Sequence, residues 1–300
     1  MSFRKFGLLT LIFVYLLVLA GGVVRSTGSG MGCPDWPTCF GRIVPPTSES
    51  QLPFNYQEIY KEKLHGEVLF NPTKTWIEYV NRLLGALTGL IMLICTFLSR
   101  KEGKKTFLFT LLALLFVIGN GILGKLVVDS FLHPGVVTAH MALTIAVIFF
   151  LIQALYHAQE KENITTYGRS LVLINLVLIA IQILLGTQVR EEMDLVIKQV
   201  GETAKDQWID LLGLKYIIHR SFTWVILVTN SVLWYKLDKS QLFLKNYLRS
   251  IFVLLGISII SGIAMAYFAL PFGSQPIHLL LSLLTLGAHM KAWTITKANA

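Results

Sequence analysis

The stretch Ser250–Met290, SIFVLLGISIISGIAMAYFALPFGSQPIHLLLSLLTLGAHM, runs for 41 residues without one Asp, Glu, Lys or Arg. A membrane helix needs about 20 apolar residues at about 1.5 Å each, so this stretch is long enough for two. Pro271, Gly273 and Pro276 stand inside it, where proline's missing N–H and glycine's freedom end one helix and let the next begin. The reading is therefore a pair of membrane helices joined by a tight turn.

Working outward, Phe6–Val24, Thr106–Gly124, Ser130–Gln159 and Ser170–Val189 are also free of Asp, Glu, Lys and Arg. Leu83–Ser99 becomes a full span when extended back through Trp76, and it then contains Glu78 and Arg82. The run from about Leu211 to Tyr235 carries Lys215, His219 and Arg220 in its first half. Eight spans result, and the predicted fold is an all-α integral membrane protein. With 54% hydrophobic and 14% charged residues and a mean hydropathy of +0.63, a disordered chain, a secreted disulfide scaffold and a soluble nucleic-acid binder are excluded.

An even number of spans puts both termini on one side. Fourteen of the 26 Lys and Arg fall on that side, opposed by Glu102, Glu160, Glu162 and Asp238, whereas the other side is close to neutral. Positive charge collects at the cytoplasmic ends of membrane helices, so both termini are predicted to be cytoplasmic. The net charge of +9 then records topology in a lipid bilayer, with no nucleic-acid partner. Arg4 and Lys5 ahead of Leu19-Ala20-Gly21-Gly22 imitate a signal peptide, but the apolar run is long for one and the span count uses it.

Glu78-Tyr79-Val80-Asn81-Arg82 opens the second span and Tyr216-Ile217-Ile218-His219-Arg220 the sixth; His140 lies early in the fourth and His278 early in the eighth. Asn81 and His219 are 138 residues apart, and so are His140 and His278, as are Gly124 and Gly262. This equality points to a duplicated four-helix unit, residues 1–159 and 160–300, with a long outer loop, about 26–75, in the first copy. Arg25 and Arg190 close the first and fifth spans. Because even-numbered spans enter from outside, all four positions lie roughly 6–12 Å below the outer surface. Two imidazoles on facing helices can hold a haem between them, so His219 and His278 read as a bis-histidine haem site. Arg25, Arg82, Arg190 and Arg220 lie at the right depth to bind haem propionates; the competing reading is interfacial snorkelling.

These residues resemble the haem A synthase family, membrane enzymes of cytochrome oxidase assembly. The resemblance covers essentially the whole chain and is carried by Ala20–Pro37, by Trp76–Ala86 and by Val137-Thr138-Ala139-His140. It implies a two-fold bundle whose C-terminal half holds haem b on His219 and His278, with Arg190 and Arg220 beside it. The N-terminal half would hold the substrate, haem O, on His140, with Asn81, Arg82 and Arg25 around it. The implied reaction oxidises the C8 methyl of haem O to a formyl group by successive hydroxylations, with molecular oxygen as co-substrate and Glu78 as the catalytic side chain. Structural pairing of Glu78 with Arg82 is the bland alternative.

The family pattern commonly has His where this chain has Asn81. A carboxamide is a poor haem-iron ligand, so His140 would hold the substrate iron from one side, or this half has lost its chemistry. Cys33 and Cys39 match the family's loop pair, implying a disulfide that is either a structural staple or redox-active. Implied partners are a haem O synthase and an electron donor, in the plasma (inner) membrane with the haem sites toward the periplasmic face; self-association into a homo-oligomer is compatible with this. A haem b electron-transfer protein or haem carrier without haem-modifying activity is the rival class. His133, His157 and His289 lack duplicated partners and are left outside the site.

Overall fold

The computed structural model describes residues 2–60, 70–159, 168–237 apart from 202 and 206, and 242–296 apart from 269. Among them are eight long helices: α1 (Phe3–Ser26), α2 (Pro72–Ser99), α3 (Lys104–Asp129), α4 (Pro134–His157), α5 (Arg169–Val200), α6 (Leu214–Lys236), α7 (Leu242–Tyr267) and α8 (Ser274–Ile295). The half-boundary read at 159/160 meets residues 160–167, which lie outside the described residues.

The helix ends follow from local chemistry. Asn71 caps α2 by accepting from the Lys74 N–H at 3.1 Å, with Pro72 as first helical residue, where its missing N–H costs nothing. His133 does the same for α4 through Gly135 N at 3.2 Å, followed by Pro134. Gly273, at φ +79°, opens α8, so the break expected inside Ser250–Met290 lies where the prolines put it.

Six of the eight helices are long and apolar enough to cross a membrane: Phe3–Ser26, Pro72–Ser99, Lys104–Asp129, Pro134–His157, Arg169–Val200 and Leu244–Tyr267. The two outside that group, α6 and α8, carry His219 and His278 together with Lys215, Arg220, Asn230, His289 and Lys291. Their lower apolarity thus comes from the side chains of interest here.

Helix α5 departs from expectation. The fifth span is expected to close at Arg190, but the helix continues to Val200 and ends at Gly201, φ +90°. At 1.5 Å per residue its 32 residues span about 48 Å against a hydrocarbon core of about 30 Å. The extension is amphipathic: Met193 and Val196 are buried against Trp208 and Leu212 in a small outer core. Residues 191–200 contain no Gly or Pro, so nothing stops the helix at the membrane surface.

Each helix packs on its sequence neighbour and the ring then closes, α1–α2–α3–α4–α1 and α5–α6–α7–α8–α5. Between the rings α1 meets α8, α4 meets α5, and α4 meets α8. Exchanging α1–α4 for α5–α8 converts this set of pairings into itself.

Candidate haem-binding site

His219 on α6 and His278 on α8 face each other with ring centres 6.4 Å apart and planes at 69°. A metal–imidazole bond is about 2 Å and the ring centre lies roughly 1 Å further, so two imidazoles sharing one iron have centres about 6 Å apart. Ser261 fixes one tautomer. Its hydroxyl donates to Ser258 O at 2.7 Å, so at 2.7 Å from His278 Nδ1 it must accept a proton from that nitrogen. Nε2 of His278 therefore carries the lone pair that a metal needs. Gln182 on α5 donates to His219 O at 2.9 Å and to Thr223 Oγ1 at 3.0 Å, anchoring the turn that presents His219.

Each of the four duplicated positions is backed by a glycine on the preceding odd-numbered helix. A methyl group added at Gly186 would lie 3.2 Å from His219 Cε1, at Gly262 3.3 Å from His278 Cε1, and at Gly124 3.7 Å from His140 Cε1. At Gly21 it would lie 3.9 Å from Asn81 Oδ1. Gly21 and Gly186 are 165 residues apart, as are Arg25 and Arg190; the first copy's longer outer loop accounts for the difference from 138. His140 Nδ1 faces the Asn120 carboxamide at 3.2 Å, and Thr144 Oγ1 donates to His140 O at 3.0 Å. Asn120 and Gln182 thus support the histidines without replacing them.

Glu78 is buried, and both its oxygens are engaged. Oε1 accepts from Arg82 Nη2 at 2.5 Å and Nε at 3.1 Å, and Oε2 accepts from Cys33 N at 3.0 Å. Arg82 Nη1 also donates to Asp35 O at 2.6 Å and Thr38 O at 3.0 Å, and Nη2 to Cys33 O at 3.3 Å. All five guanidinium N–H groups therefore have protein partners, and a propionate could reach Arg82 only by displacing one. The expected pairing of Cys33 with Cys39 is present as a disulfide with Cα atoms 4.9 Å apart. Gly32 lets this loop touch α2: a methyl there would lie 2.6 Å from Lys74 O. Thr75 Oγ1 donates to Gly32 O at 2.8 Å.

Arg25 and Arg190 meet at the junction of the rings. Asp194, which sequence reading missed, pairs with both: one oxygen bonds Arg25 Nη2 and the other Arg190 Nη2 at 2.8 Å. Arg190 Nη2 also donates to Arg25 O at 3.1 Å. Buried Arg25 Nε, Arg25 Nη1 and Arg190 Nε have no protein partner. Three orphan donors on two arginines suit an added carboxylate, so this cluster fits a propionate better than Arg82 does. The signal for Asp194 was its i, i+4 spacing from Arg190. Arg220 is exposed and lies over the Tyr216 ring at 5.7 Å.

Among the described residues no three His, Cys, Asp or Glu side chains converge on a point that would hold a bare metal ion. Paired imidazoles with orphaned arginine donors nearby suit an iron that arrives in a carboxylate-bearing macrocycle. Comparison with known proteins agrees: the cytochrome oxidase assembly protein family, COX15-CtaA, matches residues 4–290. The chain belongs to this family.

Among its relatives, the Heme A synthase of Shewanella oneidensis is 33% identical over 187 residues, 59% of this chain and 54% of the relative. That of Ehrlichia canis is 31% identical over 169 residues, 51% and 48% of the two chains. That of Bartonella tribocorum is 26% identical over 328 aligned positions, 96% and 90%. The chain thus spans about half the length of the first of these relatives and nearly all of the last.

Proposed function

We propose that this chain is a haem A synthase that oxidises the C8 methyl of haem O to a formyl group. The observation that carries the proposal is the unequal pair of duplicated seats. One holds two facing imidazoles, His219 and His278; the other has His140 and Asn81 at the matching positions, with buried Glu78 one turn before Asn81 on the same face of α2. A pure electron carrier gains from two closed sites, whereas one closed and one open site suits electron delivery beside chemistry.

In this reading α1–α8 are eight crossings with cytoplasmic termini, in the plasma (inner) membrane, and the haem sites face the periplasm. Residues 1–159 bind the substrate and residues 160–300 the cofactor. His219 and His278 hold haem b, which supplies one-electron transfer when bound. Arg25 and Arg190 bind propionates across the junction, and Arg220 lies at its outer edge. His140 holds the iron of haem O.

The first oxidation consumes O2, two electrons and two protons, giving a hydroxymethyl group and water. The second hydroxylates that carbon again, and loss of water leaves the formyl group. The electrons come from a donor protein or quinol, and haem O from a haem O synthase. Glu78, fixed by Arg82 and Cys33 N–H, supplies negative charge where positive charge develops on the reacting carbon.

The same contacts favour a second reading for Glu78, as the latch that seats the disulfide loop on α2. Co-expression with a haem O synthase, followed by haem extraction and mass spectrometry, tests both. Haem A is expected from wild type, and haem O or a hydroxylated intermediate from Glu78→Ala with haem b retained. Unchanged haem O from folded, haem b-loaded wild type overturns the proposal. Full haem A from Glu78→Ala with a loosened loop leaves Glu78 as the latch.

A further inference from the structure

We propose that Asn81 and Gly21 form an open axial seat that admits a diatomic ligand to the substrate iron opposite His140. The inference rests on the haem O reading of the N-terminal half and deepens it by saying what completes the iron's coordination.

The argument begins with the duplication. Asn81 matches His219 at a separation of 138 residues, and Gly21 matches Gly186 at 165. Both pairs make the same contact: the bare backbone of α1 or α5 lies against the polar tip of the side chain on α2 or α6. The seat on α2 therefore retains the form of the ligand seat on α6, with a different occupant. A carboxamide ends about one bond length short of where an imidazole nitrogen ends, and its neutral oxygen is a poor partner for haem iron. The shorter side chain leaves space that His219 fills in the other half.

Asn81 Oδ1 is buried and has no hydrogen-bond partner. A buried acceptor without a partner is costly; a bare diatomic has no proton to relieve it, but turning the carboxamide end for end aims its N–H group into the seat instead. The amide also carries two N–H donors, and donors on the far side of a haem favour binding of dioxygen over simple electron transfer. His140 is held by Asn120 and Thr144, and its match with His278, as of Asn81 with His219, assigns Asn81 to the position across the iron from it. The ligand class is a neutral diatomic whose outer atom accepts a hydrogen bond when bound.

The test uses the full chain, co-expressed with a haem O synthase, purified, reduced with dithionite and exposed to carbon monoxide. Haem b on His219 and His278 is closed at both axial positions and serves as the unreactive internal reference. Wild type is expected to form a carbon monoxide complex at one haem. Asn81→His should abolish that complex and convert the haem to a second low-spin, six-coordinate spectrum. Asn81→Ala should still bind carbon monoxide but release it faster than wild type; release at the wild-type rate would overturn the hydrogen bond from Asn81.

No complex in wild type, or an unchanged complex in Asn81→His, would overturn the seat. If His140→Ala kept the reactive haem, the seat would be assigned to the wrong iron and likewise overturned. Haem A content, measured on the same preparations, separates the two proposals. Haem A without a carbon monoxide complex overturns the seat and leaves the synthase; a complex without haem A supports the seat and overturns the synthase.

Discussion

His289 Nε2 lies 3.0 Å from Asn230 Oδ1, and each residue stands 11 positions beyond a candidate haem ligand, His278 on α8 and His219 on α6. Eleven residues are about three helical turns, so the two pairs lie on one seam between the same helices, about 16 Å apart. Asn230 Nδ2 donates onward to Asn175 Oδ1 on α5 at 2.8 Å, and His289 Nδ1 lies 2.9 Å from Thr285 O. His289, Asn230 and Asn175 are fully buried. The matching positions of the first half, Met92 and Leu151, are apolar. This polar seam is therefore specific to the half read as the haem b site, where it fixes the register of α6 against α8.

Cutting that seam on one side should leave a buried partner unsatisfied, a cost of about 1–3 kcal/mol. Asn230→Leu and His289→Leu are each expected to lower the melting temperature in detergent by several degrees. The double variant should lose less than the sum of the two. Additive losses would show that the two side chains are not coupled.

The glycine seats give a contrast. Gly186→Ala and Gly262→Ala place a methyl against His219 and His278 and should weaken or abolish the low-spin haem b spectrum. Gly256→Ala, on α7 with open space around it, should keep the spectrum and stabilise the helix by up to about 1 kcal/mol. Equal haem content in all three would contradict the packing account.

Ser261→Ala removes the acceptor that sets the His278 tautomer. Haem b should still bind through Nε2 but about 10–100-fold more weakly, with a changed reduction potential. His278→Ala should lose the low-spin spectrum altogether. Redox titration of the two purified variants distinguishes support from ligation.

Arg82→Lys keeps the charge but cannot reproduce five N–H bonds in a planar fork. With three donors in place of five, at least two of the bonds to Glu78 and the loop carbonyls would be lost, at about 0.5–3 kcal/mol each. The loop around Cys33–Cys39 should become open to protease while the helices stay protected. Protection equal to wild type would mean that the disulfide and Thr75 hold the loop without Arg82.

Much of this was legible in the sequence because membrane helices are limited by length and apolarity, and because duplication leaves a constant separation. The break between α7 and α8 and the four matched positions follow from such one-dimensional signals, and the pairing of Cys33 with Cys39 from the resemblance to the family. The extension of α5 was not, because Glu191, Glu192 and Asp194 mark a membrane exit without marking a helix end. Nor was the saturation of Arg82: its carbonyl partners lie 44 to 49 residues away, and no side-chain type announces a carbonyl. His289 was set aside for lack of a duplicated partner. Its partner is Asn230, and only the meeting of side chains from α6 and α8 across the second ring reveals it.

The pairings between the two rings have one more implication. Exchange of the halves maps α1–α8 onto α4–α5 and α4–α8 onto itself, which is the property of a self-complementary, two-fold interface. One half meeting a copy of itself would present the same surfaces, so these pairings are the ones a homodimer of four-helix subunits, joined end to end, would make. Such a dimer is bound to have identical sites. Fusion lifts that constraint, and each seat can then change its side chain without changing its twin.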